Sequence, residues 1–509
     1  MYSYVATLSL YGLDCKEIRA EADMSDGLPV FEVVGFLSGE VKEASKRVKT
    51  ALRNAGIVLP PKRITVNLSP AYIRKSGTSY DLAIAVALMK AMGLIPKDKD
   101  RGMAVIGELS LSGEVKKVTG VLPMVIEAKN LGYSRCMIPM DNLKEASCVE
   151  DMELIPVSYL QDVIDHYHGA YVPCIDHENT GCICENDTVG VDLRDVNGQE
   201  SCKRALEIAA AGMHNILLIG PPGSGKTMLA KRLPTILCEP DREEMLEITK
   251  IYSIAGLLTA DTGLITERPF VSPHHTATPI SLSGGGINPK PGECSLAHRG
   301  VLFLDELPEF SRQTLEILRQ PMEDRIISIT RQQGRCIFPA DFLLCAAMNP
   351  CKCGYYPDRT KCNCNSEDVR RYVGKISGPL LDRIDLCGRA MRIDYKDLKQ
   401  KGSNVDSKTV RMRVEKAAAI QRERFRGTRI RFNSEIGPGD IDRYCHLGTK
   451  QEKLMKSAYE CFELTARGYH RIIKVARTIA DLDGSEEIKE EHISEAIGFR
   501  TIDGRYGNV

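Results

Sequence analysis

Eight consecutive residues, Gly220-Pro221-Pro222-Gly223-Ser224-Gly225-Lys226-Thr227, have the spacing G-x-x-x-x-G-K-T. Glycines let the backbone turn tightly, so that its N–H groups converge on phosphate oxygens. In such a loop the Lys226 ammonium reaches the β- and γ-phosphates of ATP, and the Thr227 hydroxyl is a Mg²⁺ ligand. The apolar run Ile216–Ile219 reads as a buried strand leading in, and a helical pattern leads out from Met228. A helix N-terminus at that point adds a field that favours an anion. An unliganded glycine turn is the plainer alternative, and the completeness of the motif argues against it.

Three further segments offer polar residues after apolar runs. Gly300–Leu304 ends in Asp305 and Glu306. There Asp305 would hold Mg²⁺ through water and Glu306 would polarise the attacking water; the alternative is an acidic helix cap. Phe342–Met348 delivers Asn349, whose amide could bond the γ-phosphate or orient the water, although Asn before Pro350 is also a turn signal. Strand ends of an open parallel sheet are where such ligands gather. Gly378–Asp385 contains Arg383. A guanidinium there could stabilise charge developing on a transferring phosphoryl group, often from a neighbouring subunit. An ion pair with Asp382 or Asp385 explains it equally well.

These four segments, in this order, resemble an AAA+ ATPase, and more narrowly its magnesium-chelatase-like branch of the ComM/YifB type. Pro273–Thr276, Gly284–Gly286, Pro291–Glu293, Ser295–Phe310, Ala346–Cys351 and Ser377–Leu386 carry the resemblance, which covers nearly the whole chain. It implies a ring, a homo-hexamer, with ATP at subunit interfaces and Arg383 as a trans-acting finger. In Thr465–Arg471, similar to the family's second sensor segment, it makes Arg467 the residue that touches the phosphates, with Arg471 behind it. An exposed basic helix face is the alternative there. The resemblance also implies DNA, single-stranded or branched, as the object moved, by translocation or branch migration in recombination or uptake of transforming DNA. The competing reading is a chelatase-type ATPase that remodels a protein partner for metal insertion. Ser76–Ser79 and Gly107–Val115 resemble the Lon-protease-type fold, with Ser79 at the nucleophile position. The matching lysine position holds Met124, whose thioether takes no proton, so proteolysis is not expected and Ser79 reads as a helix N-cap.

The elements that must position these residues are α/β. Residues 1–165 read as an N-terminal Lon-protease-like α/β domain, with strands at Ser3–Leu10, Phe31–Val34, Ile64–Leu68 and Met103–Ile106 and helices at Glu40–Asn54, Ser79–Met92 and Leu122–Asn130. A linker spans 166–197 and holds Cys174, His177, Cys182 and Cys184. The AAA+ phosphate-loop domain occupies 198–395 and a helical lid 396–509. A chain of 509 residues exceeds one core. Hydrophobic content of 43% and charged content of 27% suit a globular protein. The N-terminus lacks a signal pattern and no apolar run is long enough to span a bilayer, so a cytoplasmic protein with no membrane partner is expected. The 18 cysteines are then reduced thiols or metal ligands.

Net charge is zero, so nucleic-acid contact must come from local patches. Arg325–Ile337 alternates about a Gln-Gly turn and reads as a β-hairpin with Arg331 and Arg335 near its tip. In a ring that tip could face the channel and grip phosphates; two solvated arginines are the alternative. Lys396–Arg431 holds twelve Lys/Arg against four Asp/Glu, and the densest stretch, Arg422–Phe432, interleaves Phe425 and Phe432; this suits phosphate-backbone contact, with a solvated helix beside a turn as the competing account. Residues 268–292, with His274 and His275, read as a pore-facing loop rather than a metal site. Cys351, Cys353, Cys362 and Cys364 could make a tetrahedral Zn²⁺ site; the C-x-C spacing leaves zinc and free thiols both open.

Overall fold

The computed structural model describes residues 1–96, 102–171, 190–331, 334–392 and 404–500. Cys174, His177, Cys182 and Cys184 lie outside the described residues.

The first sheet has seven strands. Their spatial order is Val30–Val34, Arg63–Ser69, Asp14–Ser25, Tyr2–Tyr11, Met103–Val105, Arg135–Pro139 and Glu153–Val157. Asp14–Ser25 pairs antiparallel with both neighbours, and the other pairings are parallel. Sequence reading did not anticipate this long strand. Its inward residues Ile18, Ala20, Ala22 and Met24 alternate, but two are alanines set among charges, so the two-residue period is faint. The helix expected over Glu40–Asn54 is two, Gly39–Lys42 and Ala44–Asn54.

The helix after Ser79 runs Asp81–Ala91 and is buried on every side. Its N-cap is Tyr80, with no side-chain cap bond, which corrects the expectation that Ser79 caps it. Ser79 is buried, and its carbonyl accepts the Gly107 N–H at 3.0 Å. This helix packs in a core with Val5, Val105 and Met137. Met124, on the helix Val121–Asn130, packs in another core with Leu8, Ala104 and Ile138. Successive residues of a strand point to opposite faces, so the two cores lie on opposite sides of the sheet.

The second sheet is parallel throughout, in the order Phe270–Val271, Val301–Leu304, Leu343–Met348, Ile216–Ile219, Leu386–Arg389. Its three central strands are buried along their whole length, as a sheet covered on both faces requires. The first of them in the chain, Ile216–Ile219, sits between the last two. The chain leaves it towards one side and later crosses from Leu343–Met348 to Leu386–Arg389 on the other, so a crevice opens at its carboxyl end. The helices Ser407–Arg424, Thr449–Cys461, Ala466–Leu482 and Glu490–Gly498 follow. They share one core with the flank of this sheet, including Leu206, Ile216, Leu233, Val414, Ile472 and Ile493. Among the described residues no helix is long and apolar enough to cross a membrane.

The opposite, amino-terminal edge of the sheet is pinned by ions. Arg299 donates to Glu247 at 3.0 Å and to Asp341 at 2.6 Å. His298 Nε2 lies 3.2 Å from Glu247, and its Nδ1 accepts the Asp341 N–H at 3.1 Å. These bonds fix the starts of the two strands whose far ends carry Asp305 and Asn349. The hydrogen bond from His298, aided by Arg299, holds the Glu247 carboxyl at about 2, below its usual 4.5. The unfolded chain takes up this proton near 4.5, whereas the folded chain does so only near 2. The contribution to stability is therefore complete above pH 4.5 and is lost as pH falls towards 2. Glu247→Gln should flatten that part of the acid limb, read as the urea midpoint against pH.

Candidate functional site

At the crevice the phosphate loop wraps an open cleft of about 390 Å³. Gly223 and Gly225 have φ of +73° and +86°, the left-handed region that disfavours side chains. At Gly220 a Cβ would stand 2.3 Å from the Ala390 carbonyl oxygen, so only glycine fits there. Lys226 Nζ donates to the carbonyls of Gly220 and Pro221 at 2.8 and 3.0 Å and to Asn349 Oδ1 at 3.2 Å. Burial lowers the Lys226 pKa, and the facing Asp305 and Glu306 oppose that shift. The helix starts at Lys226, two residues earlier than expected, and runs to Ile236.

Thr227 Oγ1 donates to Asp305 Oδ2 at 2.7 Å, pairing a hydroxyl and a carboxylate from different elements. Glu306 follows in the left-handed conformation, φ 52°, with its N–H on Asp305 Oδ1 at 2.9 Å. That turn aims the Glu306 carboxylate into the same cleft, where Met348 and Asn349 form the far wall. His275 Nδ1 lies 3.5 Å from Glu306 Oε2. The 268–292 segment, expected to face a pore, thus brings at least His275 back to this cleft. Sequence reading missed His275 as a site residue. A His-His pair far from the acids in sequence gave no sign of which group it would meet.

The residues present fit a magnesium nucleotide. The 11-residue helix opens on Gly225 with no side-chain cap, which leaves its first N–H groups for an anion. Ser224 Oγ, also in the cleft wall, is buried and has no protein partner among the described residues. Lys226 supplies the cation, and the Thr227–Asp305 pair supplies the hard oxygen donors that Mg²⁺ takes.

Arg383 and Arg467 do not line this cleft in their own chain. Arg383 is only 4% exposed and pairs with Glu323, with Nη1 on the Pro379 carbonyl at 2.5 Å. Arg467, 58% exposed, meets the same Glu323 oxygen at 3.3 Å. The ion pairs with Asp382 or Asp385 considered for Arg383 are replaced by one with Glu323. Arg471, expected behind Arg467 at the phosphates, bonds Asp385 at 2.8 Å instead. It lines a polar cavity with Arg325 and Lys474 at the sheet's amino-terminal edge. This corrects the expectation for Arg471.

The family described as magnesium chelatase, subunit ChlI, matches residues 192–398; subunit ChlI of Mg-chelatase matches 20–142, and the subunit ChlI C-terminal family matches 404–500. The chain is 39% identical over 496 residues to the competence protein ComM of Haemophilus influenzae, covering 96% of each. The chain belongs to the magnesium-chelatase-like ComM/YifB family of AAA+ proteins. The YifB protein of Salmonella typhimurium is 39% identical over 500 residues, 98% of this chain and 97% of YifB. Lon protease 2 of Bacillus subtilis is 32% identical over 149 residues, 27% of this chain and 26% of that protein.

In this ComM/YifB-family chain the predicted hairpin is formed by Ile326–Arg331 and Gly334–Pro339, with Arg331 opposite Gly334. Arg331 and Arg335 are both exposed, and Arg335 Nε donates to Ser328 Oγ at 2.7 Å. The hairpin's inner face packs on Tyr11 and Leu13 of the first sheet's turn. In the basic segment Lys408, Arg413, Lys416, Arg422, Arg426 and Arg429 are exposed, whereas two arginines are tied inward. Arg424 binds the buried Asp481, with Nη1–Oδ2 at 2.8 Å, and Arg431 reaches Glu244 at 3.0 Å. Phe425 is buried edge-on against Tyr444, so it offers no face for a base.

The four cysteines after Asn349 converge. Their Sγ atoms all lie within 4.8 Å of one another. Cys351 and Cys362 are buried, in a small core with Val369.

Proposed function

We propose that this protein is an ATP-hydrolysing ring motor that acts on DNA. The observation that carries the reading is the cleft where Lys226, Thr227, Asp305, Glu306 and Asn349 meet. Lys226 and the loop N–H groups of Gly220–Thr227 bind and orient the β- and γ-phosphates. Thr227 and Asp305 would hold Mg²⁺, which neutralises charge on the phosphate oxygens. Glu306, steadied by His275, takes the proton of the attacking water, and Asn349 fixes that water or the γ-phosphate. A neighbouring subunit of a homo-hexamer contributes Arg383 and Arg467. Both meet Glu323 away from their own cleft, Arg467 and Glu323 exposed and Arg383 buried behind them, which supports a surface that faces the next protomer and from which Arg383 must be released to act. Zinc held by Cys351, Cys353, Cys362 and Cys364 is the further cofactor of this reading.

DNA as the object moved is supported by the exposed Arg331 and Arg335 and by the relative named a competence protein. Translocation or branch migration on single-stranded or branched DNA, in the cytoplasm, is the activity we infer. ATPase rate against a panel of single-stranded, duplex and branched DNA tests it. Stimulation with salt-sensitive binding is expected. Removing Arg331 or Arg335 should weaken binding alike on all sequences and reduce the salt slope by about 1 for each. Turnover indifferent to every DNA, with no salt-sensitive binding, rejects the DNA reading. It would favour the remodelling of a protein partner, towards which the magnesium chelatase family names point.

A further inference from the structure

The loop that carries the four cysteines touches the phosphate loop. Gly354, one residue beyond Cys353, has φ of +89°, and a Cβ there would stand 2.5 Å from Pro222 Cδ. Pro222 lies within the Gly220–Thr227 turn. On one side the cysteine loop leaves the strand Leu343–Met348 and passes through Asn349, whose amide oxygen accepts from Lys226. On the other side it enters the helix Ser366–Val373, capped by Asn365 on the Asp368 N–H at 2.7 Å. That helix adds Val369 and Val373 to the cysteine core. The segment between has almost no apolar filling of its own, so the sulfurs themselves are its centre.

The sulfur geometry suits one tetrahedral ion. The Sγ separations are 3.3 Å for Cys351–Cys353, 3.5 Å for Cys353–Cys362 and 3.8 Å for Cys351–Cys362. All are far beyond a disulfide bond of about 2.05 Å. A tetrahedron with Zn–S of about 2.3 Å has edges of about 3.8 Å. The Tyr356 N–H also donates to Cys351 Sγ at 3.4 Å, as backbone groups do around a metal thiolate.

We propose that Zn²⁺ bound by Cys351, Cys353, Cys362 and Cys364 holds the phosphate loop in its nucleotide-binding form, through the Gly354–Pro222 contact and the Asn349–Lys226 bond. This rests on the zinc reading above and adds that metal occupancy governs ATP affinity. Without the ion no covalent or coordinate bond joins the four sulfurs to one another, and the loop against Pro222 loses its anchor. Cys461, which is exposed and lies outside the cluster, serves as a control.

The test uses the full chain. Elemental analysis after metal-replete expression should find about one zinc per chain, and Cys362→Ser/Cys364→Ser should lose it while Cys461→Ser keeps it. Chelator-treated protein, desalted and returned to Mg²⁺, should bind a fluorescent ATP analogue at least tenfold more weakly, and added Zn²⁺ should restore the affinity. Gly354→Ala should retain zinc and a cooperative melt, yet bind the analogue more weakly because Pro222 must shift. Absence of zinc in the native protein overturns the zinc reading and the coupling with it. One zinc per chain, with analogue affinity unchanged by its removal and by Gly354→Ala, overturns the coupling alone and leaves the metal site standing.

Discussion

Glu306→Gln should leave ATP bound and slow its hydrolysis by about 10²–10⁴-fold. The amide keeps the size and hydrogen-bonding reach of the carboxylate but accepts no proton at neutral pH. Its neighbours argue that the loss is confined to chemistry. Lys226 and the Thr227–Asp305 pair do not depend on the Glu306 side chain, and the Glu306 N–H that bonds Asp305 remains. The measurement is a pair: turnover at saturating ATP, and the dissociation constant of a fluorescent ATP analogue. Turnover near that of the wild type would remove Glu306 from the role of base. Lost binding together with lost turnover would mean that the substitution disturbed the cleft itself. His275→Ala should give a smaller fall in turnover in the same direction, since it only steadies the Glu306 carboxylate.

Arg383→Ala should cost more in assembled rings, on the order of 10³–10⁵-fold in turnover, the range for a guanidinium placed at a transferring phosphoryl group. The decisive arm is mixing. Lys226→Ala destroys a subunit's own cleft but leaves its Arg383 intact; Arg383→Ala does the reverse. If the arginine serves the next protomer, neither variant hydrolyses ATP alone, and mixed rings regain turnover at junctions that pair an intact cleft with an intact arginine. Mixtures as inactive as their components would place Arg383 in a purely structural role. Burial of Arg383 against Glu323 makes a folding control necessary. Arg383→Lys serves as one, because it retains the charge against Glu323 while losing the guanidinium's planar fork.

The residues lining the cleft were legible because they are local words. The phosphate loop is eight contiguous residues, and Asp305, Glu306 and Asn349 each end an apolar strand. Chain contiguity does most of the positioning there, so type and spacing carry the message. Glu323 and His275 were not legible. Glu323 meets arginines 60 and 144 positions further on, at 383 and 467, and nothing in a short helix ending in Glu-Asp announces that. Two arginines of the basic segment were illegible for a related reason, while Arg422, Arg426 and Arg429 stay exposed. Arg424 and Arg431 look like surface charge until Asp481 and Glu244, far away in the chain, are brought to them. Burial of Phe425 against Tyr444 likewise takes one of the two interleaved aromatics out of that surface.

The fold shows the same division. The three central strands of the second sheet stood out as unbroken apolar runs because both their faces are covered. Asp14–Ser25 did not, since one of its faces is polar and the other half alanine. The sequence by itself determined the kind of chemistry: a triphosphate-binding turn, two acids and an amide at strand ends, and four thiols within fourteen residues. Only the tertiary structure decided which groups face one another. It set His275 at Glu306, joined Arg383 and Arg467 at one carboxylate away from their own cleft, and laid the cysteine loop on Pro222. The physical reason is range. Turns and strand ends are fixed by neighbours along the chain, whereas ion pairs and loop contacts depend on packing between elements that the sequence writes far apart.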